Sequence, residues 1–319
     1  MRCLSAIVLL VFAVLSHAEP GEMKPWAIVV HGGAGDPPSG EKRAEVGRAY
    51  ADGMTRALRA GADVLVDGGK ALDAVQAAII ALEDDPVFNA GKGAVFNAVG
   101  INELDASIMR GDTLDAGAVA SVRRVKNPIL AARAVMERSP HVLLGGKGAD
   151  EFAQSQGIEM VEPGYFRTER RWQQYQAARK SGKFGTVGAV VLDTHGSLAA
   201  GTSTGGLTFK RFGRVGDSPI IGAGTYADND ACAVSATGQR EYFIRLAVAR
   251  SICARVQYAG MPVAEATHAV IHDDLDKLGG TGGVIVIDRQ GEIAVEFNTE
   301  VMNRGYLRAG GEPVVEVGE

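Results

Sequence analysis

One threonine near the middle of the chain has the surroundings of a nucleophile. Residues 183–193, KFGTVGAVVLD, place Thr186 after Gly185 and at the start of a β-branched run, which predicts that it opens a buried strand. In an intact chain its hydroxyl has no evident base, because its own nitrogen is an amide. Cleavage of the Gly185–Thr186 bond would free an α-amine with an ordinary pKa of about 7.7 to 8, which could accept the hydroxyl proton. One cut would therefore create a nucleophile and its base together.

The same hydroxyl could make that cut by attacking the carbonyl carbon of Gly185. The product would be an ester that water hydrolyses. Glycine suits this position because it tolerates strained backbone angles and leaves its carbonyl uncovered. Glycine followed by threonine is also an ordinary way to begin a strand, so this motif alone leaves a purely structural role open.

The periodicity of the sequence predicts the elements that hold Thr186. Helical patterns cover residues 41–60, 70–83, 128–137, 241–258 and 262–277. Strand patterns cover residues 26–30, 103–109, 116–122, 187–193, 197–204, 231–236, 283–288 and 292–297, with the last two closing the sheet as a hairpin. Because strand hairpins are grouped and helices come in pairs between them, the order favours antiparallel sheets covered by helices over a Rossmann alternation.

The first 18 residues have the pattern of a secretory signal. Arg2 gives a positive start, residues 7–15 form an apolar core too short to span a bilayer, and residues 16–18 offer small residues for cleavage. We therefore expect a mature chain that begins near Glu19 and a secreted or periplasmic protein.

Composition limits the class of partner. The 319 residues are 46% hydrophobic, enough for a large core in one domain or two. The formal net charge is −5, and we find no basic face for nucleic acid and no polybasic patch for anionic lipid. We expect a small, amino-acid-like substrate, with neither nucleic acid nor membrane as a partner.

A glycine-rich loop follows the first strand. Residues 31–35, HGGAG, fit neither spacing of the nucleotide-binding glycine motifs. Clustered glycines here and in residues 201–206 and 279–283 instead suggest tight turns and close approach of the backbone to a ligand. We interpret His31 as a structural histidine rather than a catalytic base.

Three consecutive acids end the second helix. Glu83, Asp84 and Asp85 lack the alternating spacing of a calcium loop. Two interpretations stay open, a loop that binds a monovalent cation through backbone carbonyls and a plain helix stop.

Two other features concern the mature chain as a whole. Cys232 and Cys253 could pair, but a chain of this size needs no disulfide framework, so we expect free, buried cysteines. Residues 149–183 are rich in charge and glutamine, which predicts a solvated helix and an exposed tether that leads to Gly185.

Taken together, several motifs resemble the plant-type L-asparaginase and isoaspartyl peptidase family, in the family's order from about residue 26 to residue 305. The motifs are HGGAG (31–35), GTVGAV (185–190), TSTGG (202–206), GRVGDSP (213–219) and SATG (235–238). The resemblance implies the N-terminal nucleophile hydrolase fold, an αββα sandwich of two stacked, mainly antiparallel sheets between helical layers. It also implies self-cleavage into an α subunit, residues 19–185 with a linker at about 149–185, and a β subunit, residues 186–319, that together form one structural domain.

The same resemblance assigns roles to individual residues. Thr186 would be the nucleophile, and Thr204 would hydrogen-bond to its hydroxyl. The Thr237 hydroxyl and the Gly238 N–H would form the oxyanion hole, where one donor typically contributes roughly 3 to 4 kcal/mol. Arg214 would bind the substrate α-carboxylate as a fork, and Asp217 would bind the α-ammonium. For an isolated Arg-x-x-Asp, a surface ion pair between the two is the alternative.

The acidic loop matches the family's sodium loop. Asn89 in this loop would lie near the nucleophile and the substrate. Sodium would be structural, and the resemblance implies no cofactor for catalysis. The implied ligands are the main-chain carbonyls of Leu82, Glu83, Asp85, Phe88, Ala90 and Lys92.

One position departs from the family pattern. Two residues after Gly238, where the family usually has glycine near the substrate carboxylate, this chain has Arg240. Arg240 could crowd the pocket, add a cation for the substrate or require a different backbone conformation.

The leading interpretation is an exported threonine hydrolase that cleaves β-aspartyl dipeptides and deamidates asparagine, assembled as a dimer of cleaved heterodimers. Glycosylasparaginase, whose cleavage site typically reads Asp-Thr-Ile-Gly, and a secreted amino-acid-binding protein without turnover are the alternatives.

Overall fold

The computed structural model describes residues 25–35, 43–177 and 185–318, without the side chain of Arg43. The predicted signal and the tether directly before Gly185 lie outside these ranges. The strands are β1 (Ala27–Gly35), β2 (Leu104–Arg110), β3 (Ala116–Val122), β4 (Leu143–Gly145), β5 (Val187–Leu192), β6 (Leu198–Thr204), β7 (Thr225–Ala227), β8 (Cys232–Gly238), β9 (Gly282–Asp288), β10 (Ile293–Phe297), β11 (Val301–Arg308) and β12 (Val314–Glu316). The helices are α1 (Arg43–Val66), α2 (Ala71–Glu83), α3 (Pro128–Arg138), α4 (Gly146–Ser155), α5 (Glu169–Ala177), α6 (Arg240–Leu246), α7 (Val248–Ala259) and α8 (Val263–His268), with 3₁₀ turns at Gly91–Gly93 and Pro163–Phe166 and a π-helix at Ala269–Leu275.

The strands form two sheets. The larger has the order β12-β11-β1-β5-β6-β2-β3-β4, and the smaller has the order β10-β9-β8-β7. Neighbouring strands are antiparallel except β3 and β4, which are parallel. The expectation of mainly antiparallel sheets is therefore confirmed.

Alternate residues of the central strands face different layers, as the period-two geometry of a strand requires. Ile28 and Val191 belong to the core beneath α1, α2 and α3. Val29 and Val190 instead belong to the core between the two sheets, where they join Ile285 of β9. A third cluster packs the outer face of the small sheet against α6, α7 and α8. These layers form the αββα sandwich that the resemblance implies.

The register of β5 and β6 determines where the reactive threonine lies. Val187 pairs with Ser203, so Thr186 and Thr204 lie opposite each other at one end of the pair. Thr237 and Gly238 end β8 in the facing sheet. The stacking of the two sheets therefore brings these strand ends to one place.

Two predicted helices are interrupted. The helix predicted over residues 241–258 is broken by Ala247, whose φ of 47° is left-handed, and becomes α6 and α7. The helix predicted over residues 262–277 changes from α8 to a π-helix at Ala269. Apolar periodicity is insensitive to such local changes in hydrogen bonding, so the sequence pattern did not reveal them.

β9 and β10 form the predicted hairpin at one edge of the small sheet, but they are not the last strands of the chain. The chain continues into β11, which pairs with β1 in the large sheet, and β12 adds an outer strand. The sequence of β11, VMNRGYLR, mixes polar with apolar residues and has only a weak strand pattern.

The described part of the segment predicted as a linker, residues 149–177, is folded. It contains most of α4, a 3₁₀ turn and α5, with Phe166 and Arg171 buried. Trp172 and Tyr175 stack on each other, and both contact Phe96. Aromatic and hydrogen-bond contacts hold this polar segment, and an apolar periodicity does not reveal such contacts.

The expectation of free cysteines was also wrong, because Cys232 and Cys253 form a disulfide. β8 and α7 share one core, which brings the two Cα atoms to 5.4 Å, within the range for a bridge. Among the described residues, no helix combines the length and the apolar character that crossing a bilayer requires.

Candidate active site

The scissile carbonyl predicted from the sequence is surrounded by hydrogen-bond donors. The Gly185 oxygen accepts bonds from Asn89 Nδ2 (2.7 Å), Thr204 Oγ1 (2.9 Å) and Arg240 Nη2 (2.7 Å). Donors aimed at a carbonyl oxygen stabilise the negative charge that develops there when a nucleophile attacks. In this uncut chain the donor set therefore faces the Gly185–Thr186 bond.

The Thr186 hydroxyl is buried beside that carbonyl. It donates a long hydrogen bond of 3.5 Å to Thr204 Oγ1 and accepts one of 2.6 Å from Arg240 Nη2. Thr204 Oγ1 is itself oriented by the N–H of Gly206 at 3.0 Å. The predicted contact between Thr186 and Thr204 is present in the structure.

The glycine-rich end of β1 packs against the scissile bond. Gly33, at φ 107°, approaches so closely that a Cβ there would lie 3.3 Å from Gly185 Cα and from the Thr186 nitrogen. The N–H of Ala34 donates to Thr237 Oγ1 at 3.3 Å. Gly238, at φ 149°, faces the backbone of β9 with no room for a Cβ. Thr237 and Gly238 thus lie on the opposite sheet, across from the reactive end of β5.

A chain of buried hydroxyl groups runs behind the site and starts at His31. Burial lowers the pKa of His31 to about 3, although a hydrogen bond with the Thr186 backbone acts in the opposite direction. The ring is therefore neutral. Its Nε2 lies 3.0 Å from Ser235 Oγ. The chain continues from Ser235 through Thr202, Thr225 and Ser107 to the carbonyl of Ser218. Sequence reasoning missed these hydroxyl groups, whose only signal is Ser and Thr at inward positions of apolar strands.

Asp217 is a buried carboxylate that lacks hydrogen bonds. Neither of its oxygens has a hydrogen-bond partner among the described residues. Burial raises its pKa to about 6, while the charges of Arg240 and Arg214 act in the opposite direction. A substrate ammonium carries three N–H donors and would satisfy such a group.

Arg214 and Asp217 do not form the surface ion pair considered as an alternative. Asp217 is fully buried, and Arg214 instead pairs with Glu241, with its Nε 2.8 Å from Oε1. Arg214 Nη1 is buried without a hydrogen-bond partner in the described part of the chain. A guanidinium near a carboxylate that accepts no hydrogen bond offers separate contacts for the carboxylate and the ammonium of an amino acid.

Arg240 lies at the centre of the site and is fully buried. Besides the Gly185 and Thr186 oxygens, its Nη2 contacts Thr204 Oγ1 at 2.8 Å. Its Nε lies 3.4 Å from Asp217 Oδ1. The sequence pattern singled out this residue as a departure but did not predict its contact with the reacting atoms.

The loop after α2 is connected to the site through Asn89. The Asn89 amide nitrogen also donates to the Gly206 carbonyl at 2.9 Å, and its Oδ1 accepts from the Val95 N–H at 2.9 Å. The Glu83 carboxyl contacts the Ile129 N–H and the hydroxyl of Ser203, next to Thr204. The conformation of this loop therefore positions a donor on the scissile carbonyl.

The acidic side chains of this loop have other partners, and several of its main-chain carbonyls lie close to Gly91 and Gly93. Asp85 pairs with Arg56 and accepts the Val87 N–H. A Cβ on Gly91 would strike the Glu83 carbonyl, and one on Gly93 would strike those of Phe88 and Pro86. Buried Arg171 of α5 binds the carbonyls of Val87 and Gly93 from outside.

Comparison with known proteins identifies the family. The model of the asparaginase family matches residues 24–316. The isoaspartyl peptidase of Escherichia coli K12 is 47% identical over 305 residues, which cover 91% of this chain and 95% of that protein. The chain belongs to the isoaspartyl peptidase/L-asparaginase family. The family resemblance inferred from the ordered motifs is thus confirmed.

Eukaryotic members of the isoaspartyl peptidase/L-asparaginase family are also similar. The human isoaspartyl peptidase/L-asparaginase is 42% identical over 284 residues, 86% of this chain and 91% of the human protein. A probable isoaspartyl peptidase/L-asparaginase of Arabidopsis thaliana is 39% identical over 331 residues, 93% of this chain and all of that protein. The similarity therefore extends over almost the whole chain.

Most residues that the family resemblance assigned to the site lie together. Thr186, Thr204, Asn89 and Gly185 are in contact, and Asp217 reaches this group through Arg240. Arg214 is joined to the same region through Glu241, the residue after Arg240. Arg240 and Glu241 are the side chains that the family pattern did not supply.

A separate group of side chains could hold a metal ion. It is the only such group of three or more His, Cys, Asp or Glu residues found in the described ranges, and it lies on α8, the π-helix and β10. Its members are His268, His272 and Glu296.

Proposed function

We propose that this protein is a self-activating threonine amidohydrolase that cleaves β-aspartyl dipeptides and hydrolyses asparagine to aspartate and ammonia. The observation that carries the proposal is a buried hydroxyl, Thr186, beside a scissile carbonyl held by three donors. Relatives named isoaspartyl peptidase and L-asparaginase support the choice of substrate.

The geometry of Gly185 and Thr186 supports self-cleavage in the following steps. The hydroxyl oxygen attacks the Gly185 carbonyl carbon, the C–N bond breaks, and the hydroxyl proton goes to the departing nitrogen. Water then hydrolyses the resulting ester, which gives a Gly185 carboxylate and restores the Thr186 hydroxyl. The freed α-amine becomes the general base for turnover.

The substrate contacts follow from charge. A β-amide of aspartate keeps a free α-carboxylate and a free α-ammonium on one carbon. Arg214 would bind the carboxylate as a fork, and the carboxylate of Asp217, which accepts no hydrogen bond among the described residues, would bind the ammonium. The Thr237 hydroxyl and the Gly238 N–H would then receive the oxyanion of the attacked side-chain carbonyl.

We also propose structural sodium in the loop after α2. Main-chain carbonyls are suitable ligands for a hard cation, and the close approach of the Glu83, Pro86 and Phe88 carbonyls to Gly91 and Gly93 supports a cluster of such ligands in this loop. The ligands would be the carbonyls of the loop residues named from the sequence, and the ion would hold Asn89 against Gly185. Replacement of sodium by choline in the buffer should then lower the melting temperature.

We further propose that the protein is exported, cut into two subunits and assembled as a dimer. The mature protein would be secreted or periplasmic, cut into an α subunit, residues 19–185, and a β subunit, residues 186–319. Two such heterodimers would form the dimer that the family resemblance implies.

A substrate panel tests the proposed function. The purified, matured protein is given β-aspartyl-leucine, asparagine, N-glycosylated asparagine and α-linked aspartyl-leucine, with Thr186→Ala as the control. We expect products from the first two substrates. The α-linked peptide lacks the free α-carboxylate for Arg214 and should not be cleaved. Preferred cleavage of the glycosylated substrate would instead support glycosylasparaginase, and binding without turnover would support an amino-acid-binding protein.

A further inference from the structure

Arg240 contacts the hydroxyl oxygen proposed to attack and the carbonyl oxygen of the bond proposed to break. We propose that Arg240 is a catalytic residue of maturation, whose guanidinium binds the scissile carbonyl oxygen of Gly185 and stabilises the negative charge formed there. This inference rests on the self-cleavage proposed above. It concerns the residue at which the chain departs from the family pattern.

The geometry places one nitrogen among three oxygens. Arg240 Nη2 lies 2.7 Å from Gly185 O, 2.6 Å from Thr186 Oγ1 and 2.8 Å from Thr204 Oγ1. The nitrogen has only two protons, so at least one is shared in the uncut state. When charge moves onto the Gly185 oxygen, that oxygen becomes the strongest acceptor of the three. A hydrogen bond from a cation is about twice as strong as one from a neutral donor.

The surrounding residues hold the guanidinium in this position. The Arg240 side chain crosses Gly216, where any Cβ would strike its Cδ. The carboxylate of Asp217, 3.4 Å from Arg240 Nε, is the nearest counter-charge and favours the charged guanidinium. The positive charge of Arg214 disfavours it. A glycine at 216 and a buried acid at 217 thus give the arginine both space and charge compensation.

The role of Arg240 is confined to two steps of the reaction. While the Thr186 oxygen bonds to the Gly185 carbon, the guanidinium faces the oxygen that becomes negative, together with Asn89 and Thr204. When the C–N bond breaks, the proton of the hydroxyl moves to the Thr186 nitrogen and the carbonyl double bond re-forms. Arg240 keeps its own protons throughout, so it acts by electrostatics and not as an acid.

The test follows the rate of self-cleavage in freshly purified, uncut protein, as the appearance of a fragment that begins at Thr186. Arg240→Met keeps an unbranched chain but removes the charge and the donors. We expect its rate to fall by roughly 100-fold, the effect of one lost oxyanion donor. Arg240→Lys keeps a charge but lacks the fork of donors, so its cleavage rate should be intermediate. It replaces Arg240→Met in the test if the methionine variant does not fold.

Chemical rescue separates catalysis from structure. Arg240→Gly leaves a space, and added guanidinium chloride at low, non-denaturing concentration should restore much of its cleavage rate, while sodium chloride at equal ionic strength should not. Arg308→Met is the matched control for Arg240→Met. It also removes a guanidinium that binds a main-chain carbonyl, Gly291 O at 2.7 Å, but it lies outside the site.

The outcomes distinguish the two proposals. If wild-type protein matures and Arg240→Met matures equally fast, only the role of Arg240 is contradicted. Equal rescue by both salts contradicts it as well. Wild-type protein that never yields the Thr186 fragment contradicts self-cleavage and, with it, the role of Arg240.

An independent group of side chains forms a second site, on α8, the π-helix and β10. We propose that His268, His272 and Glu296 bind a divalent transition metal such as zinc. His268 and His272 are four residues apart and share one helical face, with ring centroids 4.5 Å apart. Glu296 approaches both, with one oxygen 2.9 Å from His272 Nε2 and the other 3.7 Å from His268 Nδ1.

The arrangement fits a three-ligand site. The ligand atoms all lie within 4.8 Å of one another, so one ion can reach all three after small side-chain rotations. Two imidazoles and a carboxylate are a zinc donor set, and partial exposure leaves a fourth position for water.

Zinc titration of the full-length protein by calorimetry tests this site. We expect one zinc per chain and a higher melting temperature with zinc. Both effects should be lost in His272→Ala and Glu296→Gln and kept in His141→Ala, which removes an exposed histidine elsewhere. Absence of zinc binding by the wild type, or equal binding by all variants, would contradict the proposal.

Discussion

Asn89 Nδ2 donates a 2.7 Å hydrogen bond to the carbonyl oxygen of Gly185, although 96 positions separate the two residues. The Asn89 Oδ1 is held by the Val95 N–H, which fixes the orientation of the amide. A loop that follows α2 thus directs a donor to the bond proposed to break.

Asn89→Asp should slow self-cleavage by roughly 100-fold, because it replaces a donor to the developing oxyanion with a carboxylate. Fragment formation over time measures the effect. Asn102→Asp is the control, since Asn102 is a buried asparagine that binds the carbonyls of Ala94 and Val95 away from Gly185. Equal slowing by both substitutions would indicate general misfolding and contradict a direct role for Asn89.

Arg214→Lys should raise KM for asparagine and lower kcat/KM by about 10- to 100-fold. An ammonium cannot reproduce the two parallel bonds that a guanidinium makes to a carboxylate. Steady-state kinetics with matured protein measures the change, and Arg211→Lys, an exposed neighbour in the same loop, should have no effect. An unchanged KM would remove Arg214 from the substrate site.

Asp217 should make the stability of the uncut chain depend on pH. Its pKa is raised from an ordinary 3.8 to about 6, mainly by burial, so the folded chain binds this proton more tightly than the unfolded chain. The free energy of unfolding should therefore fall as pH rises from about 4 to about 6. Denaturant melts of Thr186→Ala, which stays uncut, would show this slope, and Asp217→Asn in the same background should reduce it. A steeper slope in the double variant would contradict the assignment.

The Cys232–Cys253 bridge closes a loop with a sequence separation of 21. Replacement of both cysteines by alanine should lower the free energy of unfolding by ~3 kcal/mol, as expected for a loop of this length. Denaturant titration measures the loss, and reduction of the wild type should reproduce it. Alkylation of two free thiols in non-reduced protein would contradict the bridge.

Much of the fold could be predicted from the sequence because buried strands and amphipathic helices leave strong periodic patterns. The hairpins formed by β2 with β3 and by β9 with β10 were found in this way. β11 was missed because its polar residues hide the period. The Ala247 break and the π-helix were missed because they depend on local hydrogen bonds that hydrophobic spacing does not record.

In the site, too, local sequence patterns predicted some residues and left others unpredicted. Thr186 was a candidate nucleophile from its position at a strand start, and the order of several motifs was needed to favour that role and to predict the other catalytic candidates. The contact of Arg240 with Gly185 depends on the path of a side chain over Gly216, and the disulfide depends on the distance between β8 and α7. Such contacts join residues far apart in the chain, and no local pattern encodes them.

Intact mass spectrometry of the purified wild-type protein, with N-terminal sequencing of each fragment, tests the central claim most directly. We expect two chains, the smaller beginning at Thr186, and a single uncut, inactive chain for Thr186→Ala. A wild-type protein that stays uncut after long incubation, or a Thr186→Ala variant that yields the same two fragments, would contradict the assignment of Thr186 as the nucleophile.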